Sequence, residues 1–261
     1  MYAQPDLWNF TRYRNSDLDW LYAVQRGGDF QLPRGLACHR FQSELGGTHR
    51  HWASSFYGRR VYREALAHRL YAFCADPQDQ LKAHFRFVTV QLADWVTYER
   101  AFHFDRQAAV RTVRNLLQGL NFLAILEFVT ITNVRHSGRA GRLVCPHFHC
   151  IVWADRQAVL RDQLRRARRR CVGGSGLSPA PAGVHVRHLH TPHDVARVAV
   201  YSLKSPAYGN YVTRARGRYT QRDTRVPYIA HYRMYEILRQ YRIHELVFAG
   251  GGGVSLRRTL S

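Results

Sequence analysis

Pro146-His147-Phe148-His149-Cys150-Ile151-Val152-Trp153 is an apolar run broken by two histidines two residues apart. In an extended strand, side chains at i and i+2 leave the same face of the sheet. His147 and His149 would then point to one side, with Phe148, Cys150 and Val152 packed on the other. Two imidazoles converging from one strand suit a divalent metal. Two unrelated histidines in a half-buried strand would look the same, so residues elsewhere in the chain decide between the readings.

Glu127 is the first of these. It sits inside Ile125-Leu126-Glu127-Phe128-Val129, and a carboxylate within an apolar strand is costly unless a cation or a donor meets it. If its strand pairs with the histidine strand in the right register, Glu127 lands beside His147 and His149. Two imidazoles and one carboxylate suit Mg²⁺ or Mn²⁺ with positions left open for substrate oxygen. An arginine partner for Glu127 is the competing expectation. Cys145, two residues before His147, could instead join the histidines in a zinc site.

The second is a tyrosine–lysine pair. Thr191, Pro192 and Asp194 form a strong helix start, and Ser205-Pro206 stops the helix near Lys204. Asp194, Arg197, Tyr201 and Lys204 fall on one polar stripe, and Ala196, Ala199, Val200 and Leu203 form the apolar face expected to dock on a sheet. Lys204 is one of two lysines, the other being Lys82, in a chain whose positive charge is otherwise arginine. A compact ammonium differs chemically from a planar guanidinium. A tyrosine presented beside it, near a metal-type strand, suits phosphoryl transfer: Tyr201 attacks phosphorus and Lys204 steadies developing charge or the leaving group.

In this order the motifs resemble those of the HUH endonucleases, especially the Rep-type initiators of rolling-circle replication. Phe87-Val88-Thr89-Val90-Gln91 is similar to their first motif, Pro146-His147-Phe148-His149 to the His-hydrophobe-His signature, and Tyr201-Ser202-Leu203-Lys204 to the tyrosine motif. The resemblance covers roughly residues 82–210. It implies an α+β fold with a four- to five-stranded antiparallel sheet, ferredoxin-like (split βαβ), flanked by helices. It also implies Mg²⁺- or Mn²⁺-dependent cleavage of single-stranded DNA or an origin hairpin, with a covalent 5′-phosphotyrosine and a free 3′-OH. Tyr208 and Tyr211 leave a two-tyrosine variant open. A tyrosine transposase of the same superfamily and a non-catalytic nucleic-acid-binding protein of the same fold are the alternatives.

The elements that must position these residues can be read from periodicity. Phe85–Gln91 reads as a strand, Asp105–Gln118 as a helix ended by Gly119, and Asn121–Thr132 as a continuous apolar strand. Leu143–Trp153 is the histidine strand, expected to form an antiparallel hairpin with the preceding one. Asp155–Cys171 is a basic helix, Gly173–Gly183 a Gly-, Ser- and Pro-rich connection expected to be mobile, and Val184–Leu189 a short strand. Tyr57–Phe73 and Tyr228–His244 read as helices. The expected division is an accessory segment at 1–80, the endonuclease domain at 81–215, and a basic, helical extension at 216–261.

Composition sets the partner class. Lys+Arg 39 against Asp+Glu 18 gives a net charge of +21, which draws the chain to polyanions, nucleic acid above all. The residues expected to touch DNA are Thr89, Gln91, Arg197, the arginines 165, 166, 168 and 169, Tyr208, Tyr211 and Arg214. A solvated helix face is the plainer account of the arginine run. The five scattered cysteines and the absence of a signal-peptide pattern fit a cytoplasmic protein without disulfides or a membrane span. Gly250-Gly251-Gly252-Gly253 lacks the G-K-[ST] of a P-loop, so a separate helicase would have to unwind the DNA.

Overall fold

The structure is a computed structural model that describes residues 19–20, 22–24, 26, 52–76, 84–134, 141–171, 183–204, 206, 209–215 and 218–259, with backbone only at 56, 214–215 and 218–221. Cys38, His39, His49 and His51, a Cys/His set whose spacing matches no standard zinc site, lie outside the described residues, as do the Gly/Ser/Pro-rich connection up to residue 182 and Tyr208. The class is mixed α+β, as expected. No helix among the described residues is long and apolar enough to cross a membrane.

The helices are α1 (Phe56–Ala75), α2 (Arg106–Leu116), α3 (Gln157–Arg170), α4 (Pro192–Ser202), α5 (Tyr228–Leu238) and α6 (Gly253–Arg258). The strands are β1 (His84–Gln91), β2 (Thr97–Tyr98), β3 (Asn121–Thr132), β4 (Leu143–Ala154), β5 (Gly183–Leu189), β6 (Gly209–Ala215), β7 (Arg218–Thr224) and β8 (Val247–Gly250). They form one eight-stranded sheet with the path β5-β1-β4-β3-β6-β7, where β2 also pairs with β4 and β8 with β3. Among the described residues every strand pairing is antiparallel except β3 with β6.

The sheet is therefore larger than the four or five strands expected, and one junction is parallel. The additional strands carry weak local signals. β7 (Arg218-Tyr219-Thr220-Gln221-Arg222-Asp223-Thr224) is polar throughout, and β8 is four residues beside a glycine run. The 228–244 helix also ends early, at Leu238. The chain then turns so that Tyr241 can stack on Phe128 and its carbonyl can accept from Ala53 N–H. Gly209 is required where β6 meets β3, because a Cβ there would lie 2.5 Å from the Thr130 carbonyl oxygen.

β4 is the middle of the molecule, and every one of its residues is buried. Its hairpin with β3 runs the full length of both strands, as expected. Aromatic and β-branched side chains fill both of its faces, which suits a strand covered on two sides. On one face Trp153 meets Phe73 of α1 at 5.4 Å, and α4 packs against α1 through Ala67, Ala196 and Val200. On the other, Phe148 meets Phe248 at 5.3 Å, and Arg114 of α2 lies over that ring. α3 packs beside α2, with Gln163 against Gly119. Leu66 and Leu70 of α1, the sheet, and Leu246 and Phe248 near the C-terminus share one hydrophobic core.

Candidate metal centre

The register of three strands builds the site. Glu127 on β3 is paired with His147 on β4, and His149 lies between Ile125 on β3 and Thr89 on β1. Cross-strand partners share a face, so the carboxylate and both imidazoles emerge together. All three are buried, and their ligand atoms lie within 4.8 Å of one another. His147 Nε2 and His149 Nε2 are 3.1 Å apart; Glu127 Oε2 is 2.8 Å from the latter and 3.5 Å from the former.

Neighbouring groups fix the rings. His147 Nδ1 is 3.3 Å from the Cys145 carbonyl, which can only accept, so in the neutral ring Nε2 presents a lone pair. His149 Nδ1 is 3.1 Å from Thr89 Oγ1, and Phe87 stacks on the ring at 5.1 Å. Two ring nitrogens 3.1 Å apart require either a proton or a cation between them. Glu127 Oε2, though close to both rings, is a buried oxygen left without a hydrogen-bonding partner. An orphaned carboxylate oxygen facing two imidazole nitrogens fits a divalent cation, with His147, His149 and Glu127 as its ligands.

The surroundings keep Glu127 and His149 unprotonated. Burial brings the His149 pKa down to about 4, more than Glu127 offsets, so the ring is neutral near pH 7. Burial alone would raise the Glu127 carboxyl. The Lys204 ammonium, 2.7 Å from Oε1, is the largest influence against it, and the group is held well below the usual carboxylate range. Burial likewise opposes the charge of Lys204, but Glu127 dominates and the ammonium stays above its ordinary pKa.

α4 delivers the tyrosine. Its N-terminus carries a complete capping box between Thr191 and Asp194, with Pro192 opening the first turn. The Tyr201 ring lies 5.6 Å from that of His149 and is 41% exposed, so it faces both the cluster and solvent. Lys204 Nζ sits 3.7 Å from the centre of the Tyr201 ring. The helix ends at Ser202, two residues before Lys204, which reaches inward to Glu127. Arg59, buried on α1, donates to the Lys204 carbonyl at 3.2 Å and anchors this turn. The apolar face of α4 is divided: Ala196 and Val200 meet α1, whereas Ala199 and Leu203 join the main core.

The other expected contacts are scattered. Thr89 faces the cluster, but its hydroxyl is engaged by His149. Gln91, half-buried, follows on the same face of β1. Arg197 is exposed and paired with Asp194 at 3.0 Å. Arg165, Arg166, Arg168 and Arg169 are exposed on α3, on the opposite face of the sheet, and Arg168 donates to the Val184 carbonyl. Tyr211 is exposed on β6, and Arg214 lies on the same strand. Cys145 is not part of the cluster: its thiol is buried among apolar side chains, away from the two imidazoles and the carboxylate, and burial pushes its pKa up to about 12. Arg59 and Phe87 were not foreseen. Only the i, i+4 spacing of Arg59 and Arg63, both buried on one helix face, could have signalled the first.

No protein family, curated protein or solved structure matches this chain.

Proposed function

We propose that the protein is a metal-dependent nuclease that nicks and rejoins single-stranded DNA through Tyr201, of the HUH type. The observation that carries this reading is a solvent-facing tyrosine ring 5.6 Å from a buried His-His-Glu cluster, with a lysine bridging the two. The strand and helix order supports it: apart from the two-residue β2, the chain runs β1-α2-β3-β4-α3-β5 with β5-β1-β4-β3 as antiparallel neighbours, an order compatible with a split βαβ arrangement. Replication initiation on a plasmid, phage or integrated element is the favoured setting; transposition uses the same chemistry.

Mg²⁺ or Mn²⁺, held by His147, His149 and Glu127, would supply Lewis-acid polarisation of the phosphodiester. The chain's own residues do the rest. Tyr201 Oη forms a bond to phosphorus as the bond from phosphorus to the 3′ oxygen breaks. The phenol proton passes to solvent water at the exposed Tyr201, and the departing 3′ oxygen takes a proton from water to end as a hydroxyl, so protons balance. Lys204, held charged by Glu127, stabilises the negative charge that develops beside the Tyr201 ring. Reversal of the step rejoins strands without a nucleotide.

The test is incubation with Mn²⁺ or Mg²⁺ and end-labelled single-stranded DNA. A denaturation-resistant protein–DNA adduct is expected, lost in Tyr201→Phe and in His147→Ala combined with His149→Ala. An adduct that survives Tyr201→Phe and disappears in Tyr208→Phe would move the nucleophile; no cleavage by the folded wild type with either metal would end the proposal.

A further inference from the structure

We infer that the arginine groove between α2, β8 and α6 binds the phosphate backbone of a nucleic-acid segment distinct from the strand that reaches Tyr201. The groove has a volume of about 300 Å³ and is lined by Arg106, Arg111, Arg114, Arg257, Val110 and Phe248, together with Gln107. No carboxylate lines it. Among the described residues, none of the four arginines is ion-paired. Arg106 donates to the Glu245 carbonyl at 2.7 Å, Arg257 to the His244 carbonyl at 3.4 Å, and Arg114 lies over the Phe248 ring.

These contacts orient the guanidiniums without neutralising them. After burial, Arg257 and Arg114 push the Arg106 pKa below its ordinary value, against a partial offset from Glu245. Four planar, permanently charged forks around one concavity match phosphate oxygens. The helix α3, which packs beside α2, carries exposed Arg165, Arg166 and Arg169 of its own.

Placement makes this a second contact. Phe248 forms part of the groove, and its ring meets Phe148 at 5.3 Å. Phe148 stands between His147 and His149 in β4, so it leaves the sheet on the face away from the imidazoles. The sheet therefore separates the groove from the metal centre, and a strand lying against Tyr201 needs another segment, or its flanking duplex, to fill the groove. The inference rests on the preceding reading only for the identity of the polyanion.

The experiment compares wild type with Arg111→Ala/Arg114→Ala and with Arg257→Ala, substitutions that retain good helix formers. Binding of a labelled duplex and a labelled single strand is followed by anisotropy across a salt series, alongside Mn²⁺-dependent cleavage of a short oligonucleotide. Each lost phosphate contact reduces the duplex salt slope by about 0.9. The double variant is expected to lose close to two such increments while cutting the short oligonucleotide at the wild-type rate. Unchanged slope and affinity for both nucleic acids would overturn the inference. So would loss of cleavage in step with binding, or loss of binding to phosphatidylserine vesicles with nucleic-acid binding intact. A wild type that cuts nothing but shows the slope change would end the nuclease reading and leave this one standing.

Discussion

The Lys204 ammonium lies 2.7 Å from Glu127 Oε1, inside a cluster whose other members are two imidazoles. The pair answers how a carboxylate is kept ionised in the middle of an apolar strand. It also ties the end of α4, and with it Tyr201, to β3.

Breaking this pair should cost stability. Lys204→Met leaves Glu127 buried without its cation, and removing one partner of a buried pair costs about 3–5 kcal/mol. The Lys204 side chain is 24% exposed, so the lower end of that range is expected. Urea unfolding without metal measures it. Adding Glu127→Gln to Lys204→Met should recover much of the loss; no recovery would mean that the lysine acts through packing alone.

Metal should stabilise the folded chain. Binding to the native state alone adds RT ln(1 + [L]/Kd), about 2.7 kcal/mol at one hundred times Kd. A rise in Tm with Mn²⁺ or Mg²⁺ is expected for the wild type and not for His147→Ala/His149→Ala. Identical shifts in both proteins would place the ion elsewhere.

Thr89 holds His149 by its hydroxyl at 3.1 Å. Replacing an outer partner of a metal-ligating histidine typically weakens metal affinity about 10–100-fold. Thr89→Val, nearly isosteric, should show that loss, and Thr89→Ser should retain most of the affinity. Calorimetric titration with Mn²⁺ distinguishes them, and equal affinities would show that the ring is held by Phe87 stacking and strand geometry instead.

His231, buried against Trp20, sets an acid limit on stability. Burial lowers its pKa from 6.5 to about 4, despite the carbonyls of Pro206 and Val226 and the charge of Asp19. A depressed folded-state pKa means that the unfolded chain binds the proton first. The stability this group contributes is complete above pH 6.5 and is lost as pH falls from there through 4, by at most about 3 kcal/mol. His149 titrates in the same window, so the measurement is the difference between wild type and His231→Gln across that range. Parallel stability curves for the two would refute it.

Much of the site was legible in the chain because it depends on local periodicity. Strand alternation puts His147 and His149 on one side whatever surrounds them, and the Thr191-Pro192-Asp194 start specifies α4. Glu127 was legible as an anomaly, a charge where an apolar residue belongs. The alternative of a zinc site using Cys145 could not be dismissed from spacing alone, because spacing does not show that its sulfur faces hydrophobic side chains.

The sequence by itself determined which side chains could share a face and where the long elements start and stop, since those follow from backbone repeat and capping within a few residues. Only the tertiary structure decided that Glu127 stands opposite His147, that Lys204 turns inward to that carboxylate, and that the arginine run lies across the sheet from them. Register, burial and the choice of face depend on pairings between residues far apart in the chain, which no local pattern encodes.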